Sequence, residues 1–532
     1  MKHKPTFLPF FSFLTFFSFL SLSATAQIRP LNIAVWPESD KDTTHYTVKG
    51  YRHGTSVFRQ VKHKEVEYSA GETLTRDRYH TVDVVYTWMK RWAEKYPDLV
   101  DLYEVGFSYE GRPILQVTLA NKKTGKDTDK PAAFFEGGRL MKRVHKGKGL
   151  WTSASEGWDN DGDGKINEDG IGGLDLHRNY PENWRPEDRL DVTGRGWTQN
   201  GAGEFPLSES ETRALFNFLM THPNVSVVNS MDTQVPMHLR GPSTEFSAKG
   251  MYEADRKLLE YYDTLGMKIT GYPWAGDVYD EYNTKEPVND YSGDSTKAEP
   301  LFGHGPDFGY SYFGAIWYGD EIWNGGLYAD LNKDGKKDEL DILLWDDQEN
   351  GGRGFKEWTS VMHPFLGPVE NGGYHPKFFS QNPPPEHLEP WIRKQAMFNL
   401  AMAEDLPTLE WNKFKVKELK DYKDSTDYQV TVSWKNTARI PTALNIAQRV
   451  KIVQLDQAVL DFDKKLMEGD QPKIKIVDPK TTDKTRYADH LWQNQEATAT
   501  FTIRSYGKNT IKGKVKVLST RGGVLEKEIT LE

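Results

Sequence analysis

"PAAFFEGGRLMKR", Pro131 to Arg143, is the stretch on which the reading of the fold turns. Ala132 to Phe135 read as a short buried strand, and Gly137-Gly138 stop it. In open α/β sheets, sites form in the crevice beyond the carboxyl ends of strands. The residues after these glycines are basic and include no catalytic side chain.

Outward from this strand the pattern is alternating. On the N-terminal side, Val82, Val85, Trp88, Met89, Trp92, Ala93 and Tyr96 recur at helical spacing, and Pro97 ends the run. Two strands follow, "LYEVGFS" and "ILQVTLA", joined by the turn "YEGRP". On the C-terminal side, "PLSESETRALFNFLMTHP" is a helix. Ser208 and Glu211 make its capping box, and Leu215, Phe216 and Leu219 its apolar face. "NVSVVNS" is a strand, a helix follows near 249–265, and "AIWYGDEIW" is another strand. A Pro-marked helix covers about 386–404. Strands alternating with helices predict an α/β fold, a mixed sheet flanked by helices. After Pro407, "YQVTVSW", "RVKIVQL", "KIKIV", "ATATFTI" and "KGKVKVL" alternate with period two. They predict a separate all-β sandwich over 408–532, behind an α/β domain over 76–407 and a polar lead-in over 27–75.

Bulk properties narrow the function. The 532 residues carry a net charge of −9, which implies no basic face for nucleic acid. Lys2 and Lys4, the apolar run "FLPFFSFLTFFSFLSLS" and "ATA" before Gln27 form a secretory signal peptide over 1–26, cleaved after Ala26. The expected product is secreted or periplasmic, with no transmembrane anchor in the mature chain. There is no cysteine, so thiol nucleophiles and Cys-ligated zinc are excluded.

Two acidic loops have calcium-type spacing. "DNDGDGKINEDG" sets Asp159, Asp161 and Asp163 at alternate positions, with Gly164 for the sharp turn and Asp169 near the end. "DLNKDGKKDELD" sets Asp330, Asn332, Asp334, Asp338 and Asp341 at positions one, three, five, nine and twelve, with Gly335 at six. Either ion would be structural. The competing reading of each is a solvated acidic turn.

"YEVGFSYEGRPILQVTL", "GGLDLHRNYPENW", a "TGYP" segment and "GDEIWN", in this order over about residues 75–405, resemble the zinc carboxypeptidase family of the carboxypeptidase A type. The likeness is to a secreted bacterial branch with a C-terminal β-sandwich. It implies metal-dependent removal of C-terminal amino acids from peptides. Zinc would be held by His-x-x-Glu and a distant His, a Glu would act as general base, and arginines would bind the substrate carboxylate. By resemblance Glu321 matches the general base, Arg178 the carboxylate-binding Arg and Tyr279 the closing Tyr. His177 stands where the family has Asn before that Arg. Asp232 stands where the family has its distant zinc His, and the neighbouring His238 does not align.

The first zinc motif should follow Gly138. None of the 14 histidines begins His-x-x-Glu or His-x-x-x-His. The nearest spacings, His80…Asp83 and His304…Asp307, read as structural or solvent-facing. A whole block of the family pattern is missing after the 132–135 strand. The sheet should therefore be short of a strand or two there, with the acidic loop covering the gap. The leading expectation is a carboxypeptidase-like protein degenerate at its zinc site that still binds peptide or protein C-termini or other carboxylates. One alternative is an active metallopeptidase with a relocated metal on His177, Asp232 and Glu321. Another is a carbohydrate- or surface-binding protein, to which the 16 Trp and the sandwich would lend themselves.

Overall fold

A computed structural model describes residues 45–50, 54–59, 74–76, 78–108, 112–124, 126, 130, 132–137, 176–185, 202–203, 205–233, 236–282, 300–323, 330–335, 339–363, 367–374, 382–468, 471–478, 485–507 and 510–532. Strands β1 (His45–Gly50) and β2 (Gly54–Arg59) pair as an antiparallel hairpin in the lead-in. Helix α1 (Val82–Lys95) forms where its spacing predicts, and Thr81 Oγ1 accepts the Val84 N–H at its start. Strands β3 (Val100–Phe107) and β4 (Pro113–Leu119) make an antiparallel pair.

The opening strand is β5 (Ala132–Gly137). It joins β6 (Val225–Thr233), β7 (Met237–Arg240), β8 (Trp274–Asp277) and β9 (Ile316–Ile322) in a five-stranded mixed sheet of order β5-β6-β9-β7-β8. β6 runs parallel to both β5 and β9, while β7 runs antiparallel to β9 and parallel to β8. Among the described residues β5 ends the sheet. The acidic loop expected beside it, with Asp159, Asp161, Asp163 and Asp169, lies outside the described residues, as do Asp338 and the 1–26 segment.

Helices cover both faces. Helix α2 (Ser210–Thr221) lies on one, α3 (Glu245–Gly250) is short, and α4 (Glu253–Thr270) lies on the other. Helix α5 (Glu339–Glu349) follows the second acidic loop, and β10 (Phe355–His363) pairs with β11 (Gly367–Tyr374). Helix α6 (Pro385–Glu404) packs beside α4, where Leu258, Leu259, Tyr262, Phe398 and Met402 meet Val227, Ile316 and Tyr318 of the sheet. On the opposite face Phe218, Leu219, Phe308 and Phe313 meet Val228 and Trp317. No helix among the described residues is long and apolar enough to cross a membrane.

The C-terminal strands are β12 (Leu409–Asp421), β13 (Ser425–Asn436), β14 (Asp456–Asp461), β15 (Ile474–Asp478), β16 (Thr485–Ala488), β17 (Glu496–Tyr506), β18 (Ile511–Ser519) and β19 (Gly523–Leu531). They form two antiparallel four-stranded sheets, β12-β13-β17-β15 and β16-β14-β18-β19. Trp434, Phe501, Val515 and Val517 fill the space between them.

Three sequence expectations need correction. Ser208 and Glu211 do not form a capping box. Glu209 sits at the cap of α2, and Ser208 Oγ is engaged by Asn179 Nδ2 at 3.0 Å and Glu209 Oε1 at 2.8 Å. The helix near 249–265 is two helices, with Met251 and Tyr252 extended between them. "RVKIVQL" is not a strand. It follows the turn Asn445–Gln448, and Val450 and Val453 are buried while the ladder begins at Asp456.

Candidate functional site

The β6–β9 ladder builds the site. Its parallel register sets Asp232 opposite Glu321. Backbones in such a pair lie about 4.8 Å apart and side chains opposite one another share a face. Earlier on that face, Ser230, two residues before Asp232, accepts a hydrogen bond of 3.0 Å from Nε1 of Trp317, four residues before Glu321. Asp320 projects to the other face, towards α6.

A turn, Leu176–Arg178, brings His177 against Asp232. His177 is buried, with Nδ1 3.7 Å from Asp232 Oδ2. Its neighbour Arg178 is half-buried. Asn179 anchors the turn from within. Its Nδ2 donates to Ala202 O at 2.7 Å and Phe205 O at 3.1 Å, and its Oδ1 accepts the Glu209 N–H at 3.1 Å. A second strap, around Gly303, zips onto the turn through Tyr180 N–H to Gly303 O and Gly303 N–H to Glu182 O, each 3.0 Å.

Behind His177 lies a buried polar group that sequence reasoning missed. The His304 ring meets His177 edge-on at 5.9 Å between centroids. His304 Nδ1 is 2.6 Å from Ser243 Oγ, and the Ser243 N–H faces both Asp307 oxygens at 3.0 Å. Burial pushes the Asp307 carboxyl up to about 7, against the Ser243 bonds that lower it, with Glu182 and Asp277 adding to the rise. Burial also raises the Glu182 carboxyl. The His304…Asp307 spacing was visible, but not that both converge on Ser243. His80, the other such spacing, has Nε2 2.8 Å from Thr75 O, a local structural contact.

Tyr279 follows β8, half-buried, and its N–H donates to Pro242 O at 3.0 Å, which ties it to the segment carrying Ser243. Thus His177 meets Asp232, which the ladder sets opposite Glu321, Arg178 follows His177 in the chain, and Tyr279 joins through the backbone. In the second acidic loop, Asp334 N–H and Gly335 N–H bond the Asp330 carboxylate at 3.0 Å, and Asp341 accepts from Leu331 N–H at 2.7 Å.

Residues 85–139 match the zinc carboxypeptidase family model, and residues 408–530 match a model described as a domain of unknown function (DUF8731). Carboxypeptidase B of Helicoverpa zea is 33% identical over 70 residues, 13% of this chain and 16% of that protein. Carboxypeptidase B of Astacus astacus is 41% identical over 61 residues, 11% of this chain and 18% of that protein. The chain thus spans less than a fifth of these curated relatives' length. The crystal structure of carboxypeptidase A from Helicoverpa armigera superposes with a TM-score of 0.34 at 16% identity, covering 47% of this chain and 66% of that one.

Zinc is the ion that this family implies, and it takes at least three protein donors at about 2.0–2.3 Å from one point. Here His177 and Asp232 face each other at 3.7 Å. Among the described residues no three His, Cys, Asp or Glu side chains converge to hold a metal. The described donors therefore do not fit zinc. Over residues 85–139, and over the stretches matched by these two carboxypeptidase B proteins, the chain is similar to the zinc carboxypeptidases of the carboxypeptidase A type.

Proposed function

We propose that this is an exported carboxypeptidase-like protein whose cleft binds peptide C-termini, or other carboxylates, without the zinc that the family's hydrolysis needs. The observation that carries the reading is Asp232. It occupies the family's distant zinc-His position, and His177 lies against it at 3.7 Å. The chain also has no His-x-x-Glu to supply the other two ligands. Arg178 is the proposed anchor for the ligand carboxylate, since a guanidinium accepts a carboxylate on two parallel N–H bonds. Glu321 keeps the general-base position and Tyr279 the closing position, now serving recognition. The proposed export signal is 1–26. The Asp330–Asp341 loop is a proposed structural calcium site, supported by the left-handed turn at Gly335, φ +86.

Metal analysis of the purified chain with calorimetric peptide binding tests this. Expected are calcium without stoichiometric zinc, and binding of a peptide with a free C-terminus but not its amide. Arg178→Ala should lose that binding. Stoichiometric zinc with chelator-sensitive release of C-terminal amino acids would refute the reading. If Asp232→Asn then removed the zinc, His177, Asp232 and Glu321 would be a relocated metal site.

A further inference from the structure

Lys and Arg outnumber Asp and Glu over residues 408–532, although the whole chain carries a net charge of −9. The two outer faces of the sandwich do not share this surplus equally. On the β18–β19 side the charges are matched. Lys514 meets Glu526, and Lys516 meets Asp461 at 2.8 Å and Glu526 at 3.4 Å. On the β12-β13-β17-β15 sheet, Glu496 is held by Lys413 at 3.7 Å and Asp427 by Arg504 at 2.7 Å. Lys415, Lys417 and Lys475 of the same sheet are exposed and, among the described residues, have no ion-pair partner.

Register makes these lysines part of a surface. Val416, Val430, Val432 and Phe501 pack into the core, so the residues that alternate with them face solvent. Strand pairing aligns those residues in ranks. Lys415, Thr431 and Thr500 form one rank, and Lys417, Gln429 and Thr502 form the next. Successive ranks stand about 7 Å apart along a strand, and neighbouring strands about 4.8 Å apart. Thr431 Oγ1 lies 3.4 Å from Thr500 Oγ1. Lys475 flanks the far side of the sheet, opposite Arg504 in the ladder. The face is thus a row of cations beside hydroxyl and amide groups, each of which both donates and accepts. Edge protection accounts for a lysine on β12. A matched lysine protects an edge as well as an unmatched one, however, and the hydroxyl groups lie on the inner strands.

Unmatched lysines favour an anion, and cations repeated along a strand favour an anion repeated along a chain. Neither rank carries an aromatic ring on which a base could stack, which disfavours single-stranded nucleic acid. Neither carries an apolar side chain to enter a bilayer. Hydroxyl and amide groups beside cations complement a polymer whose own hydroxyls lie beside its charges. We propose that this face of the sandwich binds an acidic polysaccharide, with its carboxylate or sulfate groups on Lys415 and Lys417 and its hydroxyls on Thr431, Thr500, Gln429 and Thr502. The surface uses no tryptophan, and it is independent of the cleft and of peptide C-terminus binding.

Calorimetric binding of the full chain to polygalacturonate and to dextran sulfate tests this. Neutral dextran, single-stranded oligothymidine and phosphatidylglycerol vesicles serve as comparators. Expected is binding to at least one of the two acidic polysaccharides, weakening as salt is raised, and none to neutral dextran. Which of the two binds tighter tells carboxylate from sulfate ester. The double variant Lys415→Glu with Lys417→Glu should weaken that binding by about tenfold or more. Lys512→Glu with Lys514→Glu on β18 makes the same change in net charge and should leave binding within about twofold. All four side chains lie at the surface of the sandwich, so both variants keep the core intact. No binding to either acidic polysaccharide at low salt, an equal loss in the two double variants, or tighter binding to oligothymidine or to the vesicles would each overturn the proposal. Binding of a peptide with a free C-terminus should be unchanged in Lys415→Glu with Lys417→Glu, so failure here and failure of the cleft reading are told apart.

Discussion

At the scale of single residues, Gly303 fixes where Arg178 stands. Its φ is +65, and a Cβ there would lie 2.0 Å from Arg178 O and 3.2 Å from Tyr180 O. Left-handed backbone costs a non-glycine residue about 1–2 kcal/mol, and here a rigid carbonyl clash is added. Gly271 ends α4 at φ +70 with nothing within 4 Å, so it isolates the backbone cost. Gly303→Ala should destabilise by about 3 kcal/mol or more and weaken carboxylate binding, whereas Gly271→Ala should cost about 1 kcal/mol. Denaturant unfolding of both variants measures the difference, and equal costs would remove the steric argument. Residue by residue, legibility was uneven. Glu321, Asp232, His177 and Arg178 each sit in a short motif whose order along the chain is informative, so the sequence points to them. Ser243, His304 and Asp307 sit in "RGPST" and "GHGPDF", which read as loops. Their convergence depends on chain closure over about sixty residues, which no local pattern encodes, so the buried His304 could only be expected as structural or solvent-facing.

At the scale of elements, helices and central strands were readable because one face of each is apolar at a single period. The lapse at "RVKIVQL" has a physical cause. Period-two alternation there is accidental, since Val450 is buried against the α/β domain and not in the sandwich ladder. The long strand β12 went unread because most of its residues are exposed and lysine-rich, the usual protection of an edge. The turn Gly305–Phe308 carries a testable element-level property. Asp307 clamps it to the exit of β7 through Ser243, and its carboxyl is raised from 3.8 to about 7 by burial, with Glu182 and Asp277 adding. Between these values the folded chain holds a proton that the unfolded chain has released. Stability from this group is thus greatest below about pH 4 and falls as pH rises to about 7, by at most about 4 kcal/mol. Asp307→Asn should therefore gain stability relative to the wild type across that window. Unfolding free energies at pH 4, 5.5 and 7 provide the check, and a difference independent of pH would show that Asp307 is ionised in the fold.

At the scale of the whole molecule, the sandwich is not appended to the α/β domain but completes its core. Ile440, Leu444, Ile446 and Val450, from the segment between β13 and β14, pack with Val227, Ile316, Phe398 and Met402. Two polar locks fix the junction. Arg521, buried and pushed down to about 9 by burial, donates to the carbonyls of Phe313, Gly314 and Pro223. Asp255 of α4 accepts the N–H groups of Asn445 at 2.8 Å and Ile446 at 3.1 Å, and Tyr310 Oη at 2.8 Å. A shared core makes the two units cooperative, because neither can unfold without exposing the apolar face of the other. The wild type should give one calorimetric transition. Asp255→Ala takes the acceptor from two buried donors, Ile446 N–H and Tyr310 Oη, and one part-buried donor, Asn445 N–H, at about 1–3 kcal/mol for each buried one before relaxation, so a net loss of about 2–4 kcal/mol is expected. That loss falls on the junction while both separate cores keep their contacts, so the single transition should split into two, the sandwich melting apart from the sheet. Two transitions already present in the wild type would mean that the shared core does not couple the units. A lowered but still single transition in Asp255→Ala would place the strength of the junction in its apolar contacts and in Arg521.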